Sequence, residues 1–297
     1  MQNVQKSQIK SHIVDWLAQG EEFTQSELGR LTDVNRSTIN QIAQGKWTET
    51  TPSAAQWRKL GSFFDLHSYH IESYNYKAIT GACARAQAEK LRVGVTGSGS
   101  GDGKTYALES FAQTHANVYI VKCRRSMRPG SFLNAICRQL GVSRPPQSII
   151  DREDIVAERL TTRGALLIID ECEFLGRECW DTVKSLCDML ERRAGIVLSG
   201  LDIKEMIAGW AEKGRVGMPQ LNRRFDFRWV ETMRIEKKEI AETCKSYGIE
   251  KTDAVDWFRR HVKNYDALSI LLRDALSLSE RSGQPVTAEF LHEAFNA

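Results

Sequence analysis

The residues whose types and spacing most clearly indicate a binding site lie in a glycine-rich stretch that ends at Lys104 and Thr105. Four glycines in seven residues let the backbone fold tightly and turn its N–H groups toward an anion. In such a P-loop, the lysine reaches the β- and γ-phosphates of a nucleotide and the hydroxyl binds Mg²⁺. We therefore predict an ATP–Mg²⁺ site. The loop residues expected to contact the nucleotide are Ser98, Gly99, Ser100, Gly101, Asp102, Gly103, Lys104, Thr105 and Tyr106.

The loop departs from the usual P-loop spacing at Ser98, which stands where a glycine is expected. Gly97, just before it, is available to absorb the turn. A glycine-rich loop that binds nothing is the alternative. The apolar strand before the loop, the Gly-Lys-Thr triplet and the helix after it together favour phosphate binding.

A second chemical group is the acidic pair Asp170 and Glu171, which ends the apolar run Ala165–Ile169. At the carboxyl edge of a sheet, this Walker B pattern predicts that Asp170 contacts the nucleotide site and holds Mg²⁺ together with Thr105. Glu171 is predicted to polarise the attacking water. An apolar strand that ends in two acids also occurs by chance. Its position about 65 residues after the P-loop favours a functional pair.

Three further polar residues are candidates for the catalytic machinery. Ser199 ends the apolar run Gly195–Ser199, where it would act as a polar sensor of the γ-phosphate or simply begin a turn. Arg223 and Arg224 precede a predicted final strand, Phe225–Val230. They fit an arginine finger donated across a subunit interface, with Arg224 preferred over Arg223. A surface pair that forms salt bridges is the alternative.

Composition limits the classes of protein to which the chain can belong. Its 297 residues allow about two domains, and its net charge of +3 does not by itself indicate nucleic-acid binding. Neither a signal-peptide core nor an apolar run of roughly 20 residues is present, so we expect no membrane contact. The seven scattered cysteines predict reduced thiols in a cytoplasmic protein.

The elements that position these residues alternate between apolar strands and helices from Leu91 onward. This order predicts an α/β fold in which a parallel sheet is covered by helices on both faces, a three-layer α/β/α architecture. The remaining C-terminal pattern is helical throughout. The predicted domains are a helix-turn-helix domain (1–68), a linker or adaptor helix (69–90), a nucleotide-binding domain (91–230) and a helical lid (231–297).

The N-terminal region contains a second recognisable pattern. Thr24 and Glu27 form a capping box, and a turn then leads to a helix over Arg36–Ala43. This resembles the helix-turn-helix of the Cro and C1 repressor class, although a helical interaction module is the alternative. The outward side chains expected to contact DNA are Arg36, Ser37, Thr38, Asn40 and Gln41.

The P-loop, acidic pair, polar strand end, arginine pair and helical lid follow the order of an AAA+ ATPase. A lid of this family usually supplies a second-sensor arginine at the start of its third helix. Asn264–Leu268 has none there, and Arg273 lies about two turns further on, so we expect slow or partner-dependent hydrolysis. With the N-terminal pattern, the chain resembles the B transposition proteins of Mu-like phages and the target-selecting ATPases of transposons.

This resemblance implies an ATP-dependent helical homo-oligomer on duplex DNA that recruits a transposase, which in turn stimulates hydrolysis. The DNA would lie along a basic surface of the AAA+ domain, although a solvated basic loop is the alternative. A helicase loader or replication protein, and an ATP-switched transcription regulator, are the competing functions. The proposed DNA contacts on the AAA+ domain are Lys122, Arg124, Arg125 and Arg128.

Overall fold

The structure is a computed structural model and describes residues 3–18, 20, 22–48, 51–64, 71–97, 99–162 and 164–296. Its residues divide into two compact units, each described here by itself. The predicted domain boundary near residue 70 lies outside the described residues. One unit comprises Glu72–Glu236 and Lys263–Ala267, and the other comprises Met1–Ile71, Lys237–Val262 and Leu268–Ala297.

The first unit is built on a sheet of five parallel strands, which confirms the predicted α/β fold. The strands are β1 (Arg92–Gly97), β2 (Val118–Lys122), β3 (Leu166–Asp170), β4 (Gly195–Leu201) and β5 (Trp229–Glu231). Their order across the sheet is β2-β3-β4-β1-β5. Because every described pair is parallel, the carboxyl ends of all five strands lie at one edge of the sheet.

Helices account for most of the remaining described residues. They are α1 (Asn3–Leu17), α2 (Gln25–Thr32), α3 (Arg36–Ala43), α4 (Ala54–Phe63), α5 (Tyr74–Glu89), α6 (Lys104–Thr114), α7 (Pro129–Gln139), α8 (Ile149–Thr162), α9 (Arg177–Met189), α10 (Ile203–Glu212), α11 (Met218–Phe225), α12 (Lys237–Ser246), α13 (Thr252–His261), α14 (Tyr265–Ser282) and α15 (Ala288–Asn296).

The two faces of the sheet are covered by different helices because successive strand residues point to opposite sides. Leu166 and Ile168 of β3 pack with residues of α5 and α6. Leu167 and Ile169 pack into a larger cluster with residues of α7 to α11. β3 is buried along its whole length and therefore reads as an unbroken apolar run in the sequence.

Helix α5 occupies the segment predicted as a linker or an adaptor helix, and it is packed into the core of the first unit. Its residues Ile79, Cys83 and Ala86 are fully buried and belong to the same apolar cluster as β1 and β3. Helix α11 also corrects a predicted boundary. Phe225 ends this helix, and the last strand therefore begins at Trp229 rather than at Phe225.

The second unit is helical, as the sequence predicts. At its N-terminal end, α2 and α3 are joined by a short turn, and their inward residues Val34, Ile39 and Ile42 are buried. The Thr24 hydroxyl accepts the Glu27 N–H at 3.1 Å, which caps α2. The C-terminal part of the unit consists of α12, α13, most of α14, and α15.

All seven cysteines are buried and none forms a disulfide. Burial raises the pKa of the Cys83 thiol to about 12, so this thiol is protonated near neutral pH. Across the described residues, no helix combines the length and apolar character needed to cross a membrane.

We predict that Gly94→Ala destabilises the fold by about 1–3 kcal/mol, because an added Cβ at this position would lie 2.1 Å from Trp229 Cε3. Gly81→Ala is the matched control. Gly81 is exposed in α5, and an added Cβ meets nothing within 4 Å, so the control should stabilise the protein by about 0.5–1 kcal/mol. Urea unfolding followed by circular dichroism measures both changes. Equal stability of the two variants would contradict the close packing of Trp229 on β1.

Candidate active site

The predicted phosphate-binding loop connects the carboxyl end of β1 to the first turn of α6. Gly101 and Gly103 have φ values of +82° and +78°, a left-handed conformation that favours glycine. The Lys104 ammonium donates a hydrogen bond to the Gly99 carbonyl at 2.9 Å, so it lies over the loop. Ser98 lies outside the described residues. The loop and helix therefore have the geometry in which backbone N–H groups and a lysine receive phosphates.

The loop and the acidic pair, far apart in sequence, meet at the carboxyl edge of the sheet. The Thr105 hydroxyl donates a hydrogen bond to Asp170 Oδ2 at 2.8 Å, and Asp170 is 2% exposed. A hydroxyl and a carboxylate beside a phosphate site are ligands that Mg²⁺ prefers. Thr105 and Asp170 therefore fit the predicted metal-binding role. Bound Mg²⁺ would neutralise charge on the transferred phosphoryl group.

Glu171 forms an ion pair that the sequence does not predict. Its Oε1 lies 3.1 Å from Nζ of Lys122, which ends β2. The hydrogen bond to Glu171 is the main cause of the raised pKa of Lys122. The Glu171 side chain is 30% exposed, so water reaches it. The candidate general base is thus bound to one of the residues predicted to contact DNA.

Glu173 is a further acidic residue near the site, and the sequence interpretation missed it. Burial raises the pKa of its carboxyl group, with smaller contributions from Glu171 and Asp170. Its Oε2 is buried without a hydrogen-bond partner among the described residues, and an added Cβ at Gly200 would lie 2.2 Å from it. The signal was the second glutamate of the run Asp-Glu-Cys-Glu at 170–173.

Ser199 does not end its strand as predicted, because β4 continues to Leu201. The side chain is fully buried, and its hydroxyl has no hydrogen-bond partner in the described part of the chain. Ser199 therefore lies beneath the site and not on its surface. Its role as a sensor of the γ-phosphate stays a prediction.

The two candidate arginine fingers differ in their surroundings. Arg224, in the last turn of α11, contacts Asp188 at 2.5 Å and Glu191 at 3.1 Å within the same subunit. The Arg223 side chain is exposed and makes no hydrogen bond or ion pair with any residue that the structure describes. Of the pair, Arg223 is therefore the one whose guanidinium is available to a second molecule without breaking existing contacts.

The first turn of α14 lies on the P-loop, and no arginine is present there. The Tyr265 N–H donates to the Gly101 carbonyl at 3.0 Å, and Asn264 Nδ2 donates to the Ser100 carbonyl at 3.4 Å. Any side chain at Gly101 would place a Cβ 2.6 Å from Asn264 Nδ2. An asparagine therefore stands next to the loop where a second-sensor arginine was expected. Tyr106, in the first turn of α6, is exposed, and its ring lies 6.1 Å from that of Tyr76.

The basic segment after β2 is exposed, as the DNA-binding prediction requires. Arg124 has no partner among the described side chains. Arg125 lies 5.5 Å from the Phe174 ring centroid, and Arg128 lies 3.8 Å from Glu178. We define the basic strip as Lys122, Arg124, Arg125 and Arg128. It begins at the carboxyl end of β2, next to Glu171.

The predicted recognition helix, α3, exposes fewer of the five predicted DNA-contacting side chains to solvent than expected. Arg36, Ser37 and Gln41 are exposed. Thr38 is buried, contrary to the prediction that it lies outward, because it packs against α4 and accepts a hydrogen bond from Gln56 at 3.5 Å. Asn40 is half-buried, and its Oδ1 accepts hydrogen bonds from Gln25 and Gln44.

Comparisons with known proteins agree with this geometry. Residues 93–202 match the family model described as an AAA domain. Over 206 residues the chain is 27% identical to the Mu-like prophage FluMu DNA transposition protein B of Haemophilus influenzae, covering 66% of this chain and 69% of that protein. Domain III of the Thermotoga maritima replication initiation protein DnaA is similar in fold, with a TM-score of 0.52 and 14% identity. That match covers 76% of this chain and 93% of the DnaA domain.

These findings confirm the predicted fold class and the predicted resemblance to the AAA+ transposition B proteins. Residues 93–202 match an AAA domain, the chain is similar to transposition protein B over 206 residues, and the predicted ATPase class is confirmed at that level. The matched residues 93–202 do not include α2 and α3. The assignment of those helices to the Cro and C1 class stays a prediction.

We predict that Thr105→Val weakens Mg²⁺-dependent ATP binding by about tenfold, which corresponds to about 1.4 kcal/mol. The valine keeps the shape of threonine but removes the hydroxyl that contacts Asp170. Thr105→Ser retains that hydroxyl and should bind ATP like the parent protein. Titration with a fluorescent ATP analogue, with and without Mg²⁺, measures both. A similar Mg²⁺ dependence in the valine variant would exclude Thr105 as a metal ligand.

Proposed function

We propose that this AAA+ ATPase binds duplex DNA without sequence preference, assembles on it as an ATP-dependent helical filament and delivers the DNA to a transposase. Its relation to transposition protein B supports this function. The observation that carries the proposal is the ion pair between Lys122 and Glu171, because it joins a DNA-facing cation to the catalytic acid.

The basic strip supplies the proposed DNA contact. Its four cations are exposed and follow one strand end, so they can neutralise successive phosphates. Such contacts release counterions and give affinity that does not depend on base sequence. This is the type of binding that a target-capturing protein needs. Binding should therefore weaken steeply with added salt.

The ion pair explains how DNA would stimulate hydrolysis. While Lys122 holds Glu171 at 3.1 Å, the carboxylate is less able to accept a hydrogen bond from the attacking water. A DNA phosphate that binds Lys122 competes for the ammonium and leaves Glu171 unpaired. Lys104 and Thr105 meanwhile orient the phosphates. ATP therefore persists in the absence of DNA and is hydrolysed on it.

Assembly would complete the site with an arginine from the neighbouring subunit. Arg223 and Arg224 lie together in the last turn of α11, and either guanidinium could stabilise charge on the transferred phosphoryl group. The ATP state would hold the filament on DNA, and hydrolysis would release it. Contact with the transposase would accelerate this step.

A transcription regulator that uses ATP as a signal is the second candidate, because Arg36, Ser37 and Gln41 are exposed on α3. In that case DNA binding would depend on base sequence and on these side chains. Glu171→Gln would then barely change DNA affinity. In the transposition-type function, the same variant retains ATP and traps a stable filament.

Electron microscopy and sedimentation with random-sequence duplex DNA, with and without ATP, test the proposal. We expect long filaments that require both ATP and DNA, that persist in Glu171→Gln and that are absent in Lys104→Ala. Discrete particles, or binding to one DNA sequence regardless of nucleotide, would favour the replication or regulator alternatives and exclude the filament.

We predict that Lys122→Gln raises the DNA-independent ATPase rate several-fold and reduces the further stimulation by DNA, because Glu171 no longer has an ammonium partner. Arg124→Gln is the matched control: it removes one cation of the same basic strip and leaves the Lys122–Glu171 pair intact. The control should weaken DNA binding and keep the low basal rate. Phosphate release at increasing DNA concentration measures both. An unchanged basal rate in Lys122→Gln would contradict the restraint of Glu171.

A further inference from the structure

Asp102 places a negative charge inside a loop that binds negatively charged phosphates. It lies between Gly101 and Gly103, yet its side chain is only 7% exposed. Asp102 Oδ2 is 3.9 Å from Nζ of Lys104, whose side chain is 10% exposed. The carboxylate thus neutralises part of the charge of the lysine that must receive the nucleotide phosphates.

This carboxylate is fixed in place by its neighbours. The Thr232 hydroxyl, just after β5, donates to Asp102 Oδ2 at 3.0 Å. Asn75 Nδ2 donates to the Asp102 carbonyl at 3.1 Å, while the same amide group binds both the N–H and the carbonyl of Met233. Asp102 is therefore held through both its side chain and its backbone.

The loop backbone also packs closely around the carboxylate. An added Cβ at Gly99 would lie 3.0 Å from both Asp102 oxygens, and one at Gly97 would lie 3.3 Å from Oδ2. This packing and the Thr232 hydrogen bond hold the Asp102 carboxylate beside Lys104. The incoming nucleotide must share Lys104 with an anion that stays in place.

We propose that Asp102 sets the affinity of the site for nucleotides by competing with phosphate for Lys104. Because both side chains are largely shielded from water, their attraction is weakly screened by solvent and salt. Asp102 compensates the charge of Lys104, and each added phosphate meets a fixed like charge. ATP and ADP therefore bind more weakly, and ADP leaves faster, than from the same loop with a neutral residue.

The inference concerns nucleotide affinity and does not depend on DNA, filaments or a transposase. It gives the chain a site that exchanges nucleotide readily, so that its ATP state follows assembly and partner contact. The bond to Thr232 places the same carboxylate next to the strand that follows the arginine pair.

Asp102→Asn tests the proposal because asparagine keeps the shape and an acceptor for Thr232 and removes the charge. We expect the Kd for fluorescent ATP and ADP to fall by about tenfold, the low end of what one neighbouring charge does to an ionic equilibrium. The gain should be smaller for AMP, which brings less phosphate charge. An unchanged or weaker affinity would overturn the proposal.

Two further variants separate charge from loop rigidity. Thr232→Val removes the hydroxyl donor and keeps the charge, so it should not tighten binding. If it tightens binding as much as Asp102→Asn does, the gain comes from a loosened loop and the proposal fails. Asp102→Thr provides a second neutral residue should the asparagine variant not fold, as checked by circular dichroism. Asp102→Thr should also bind ATP and ADP more tightly. Unchanged affinity in this variant would contradict the proposal that the Asp102 charge competes with phosphate.

Discussion

The active site depends on one constraint, that the carboxyl ends of parallel strands meet at a single edge. β1 delivers the phosphate-binding loop to this edge, and β3 delivers Asp170 and Glu171. Only β4 separates these two strands in the sheet. The hydrogen bond between Thr105 and Asp170 connects the phosphate-binding loop to the end of β3. Without the parallel register, residues 65 positions apart in the sequence would not form this hydrogen bond.

The charges at this edge form two lysine–carboxylate pairs. Lys104 lies beside Asp102, and Lys122 is bound to Glu171. Each lysine is thus compensated by an acid of the same subunit. In the mechanisms proposed above, a nucleotide would compete for the first lysine and a DNA phosphate for the second. The same electrostatic principle would then control both nucleotide affinity and the availability of Glu171 as a general base.

Motifs and secondary structure that depend on a local pattern can be predicted from the sequence. Contacts between elements that pack together in the fold cannot. The P-loop and the apolar run before Asp170 are local signals, and the parallel sheet follows from their alternation with helices. The sequence leaves α5 open as a linker or an adaptor helix, because its buried face is made of small and scattered residues such as Cys83 and Ala86. The burial of Ser199, like the pair between Lys122 and Glu171, is a contact between elements distant in sequence. No spacing rule within one segment contains such a contact.

The contacts of Arg223 and Arg224 reverse the order of preference that the sequence gives for the arginine finger. Arg224 is 21% exposed at its side chain and bound by Asp188 and Glu191, so to act on a neighbour it must leave two carboxylates that would remain partly desolvated. Arg223 loses no ion pair when it contacts a second subunit. The contact of Arg224 with Asp188 joins the end of α11 to α9. We therefore propose Arg223 as the residue that reaches a neighbour, with Arg224 holding the end of the helix on which it lies.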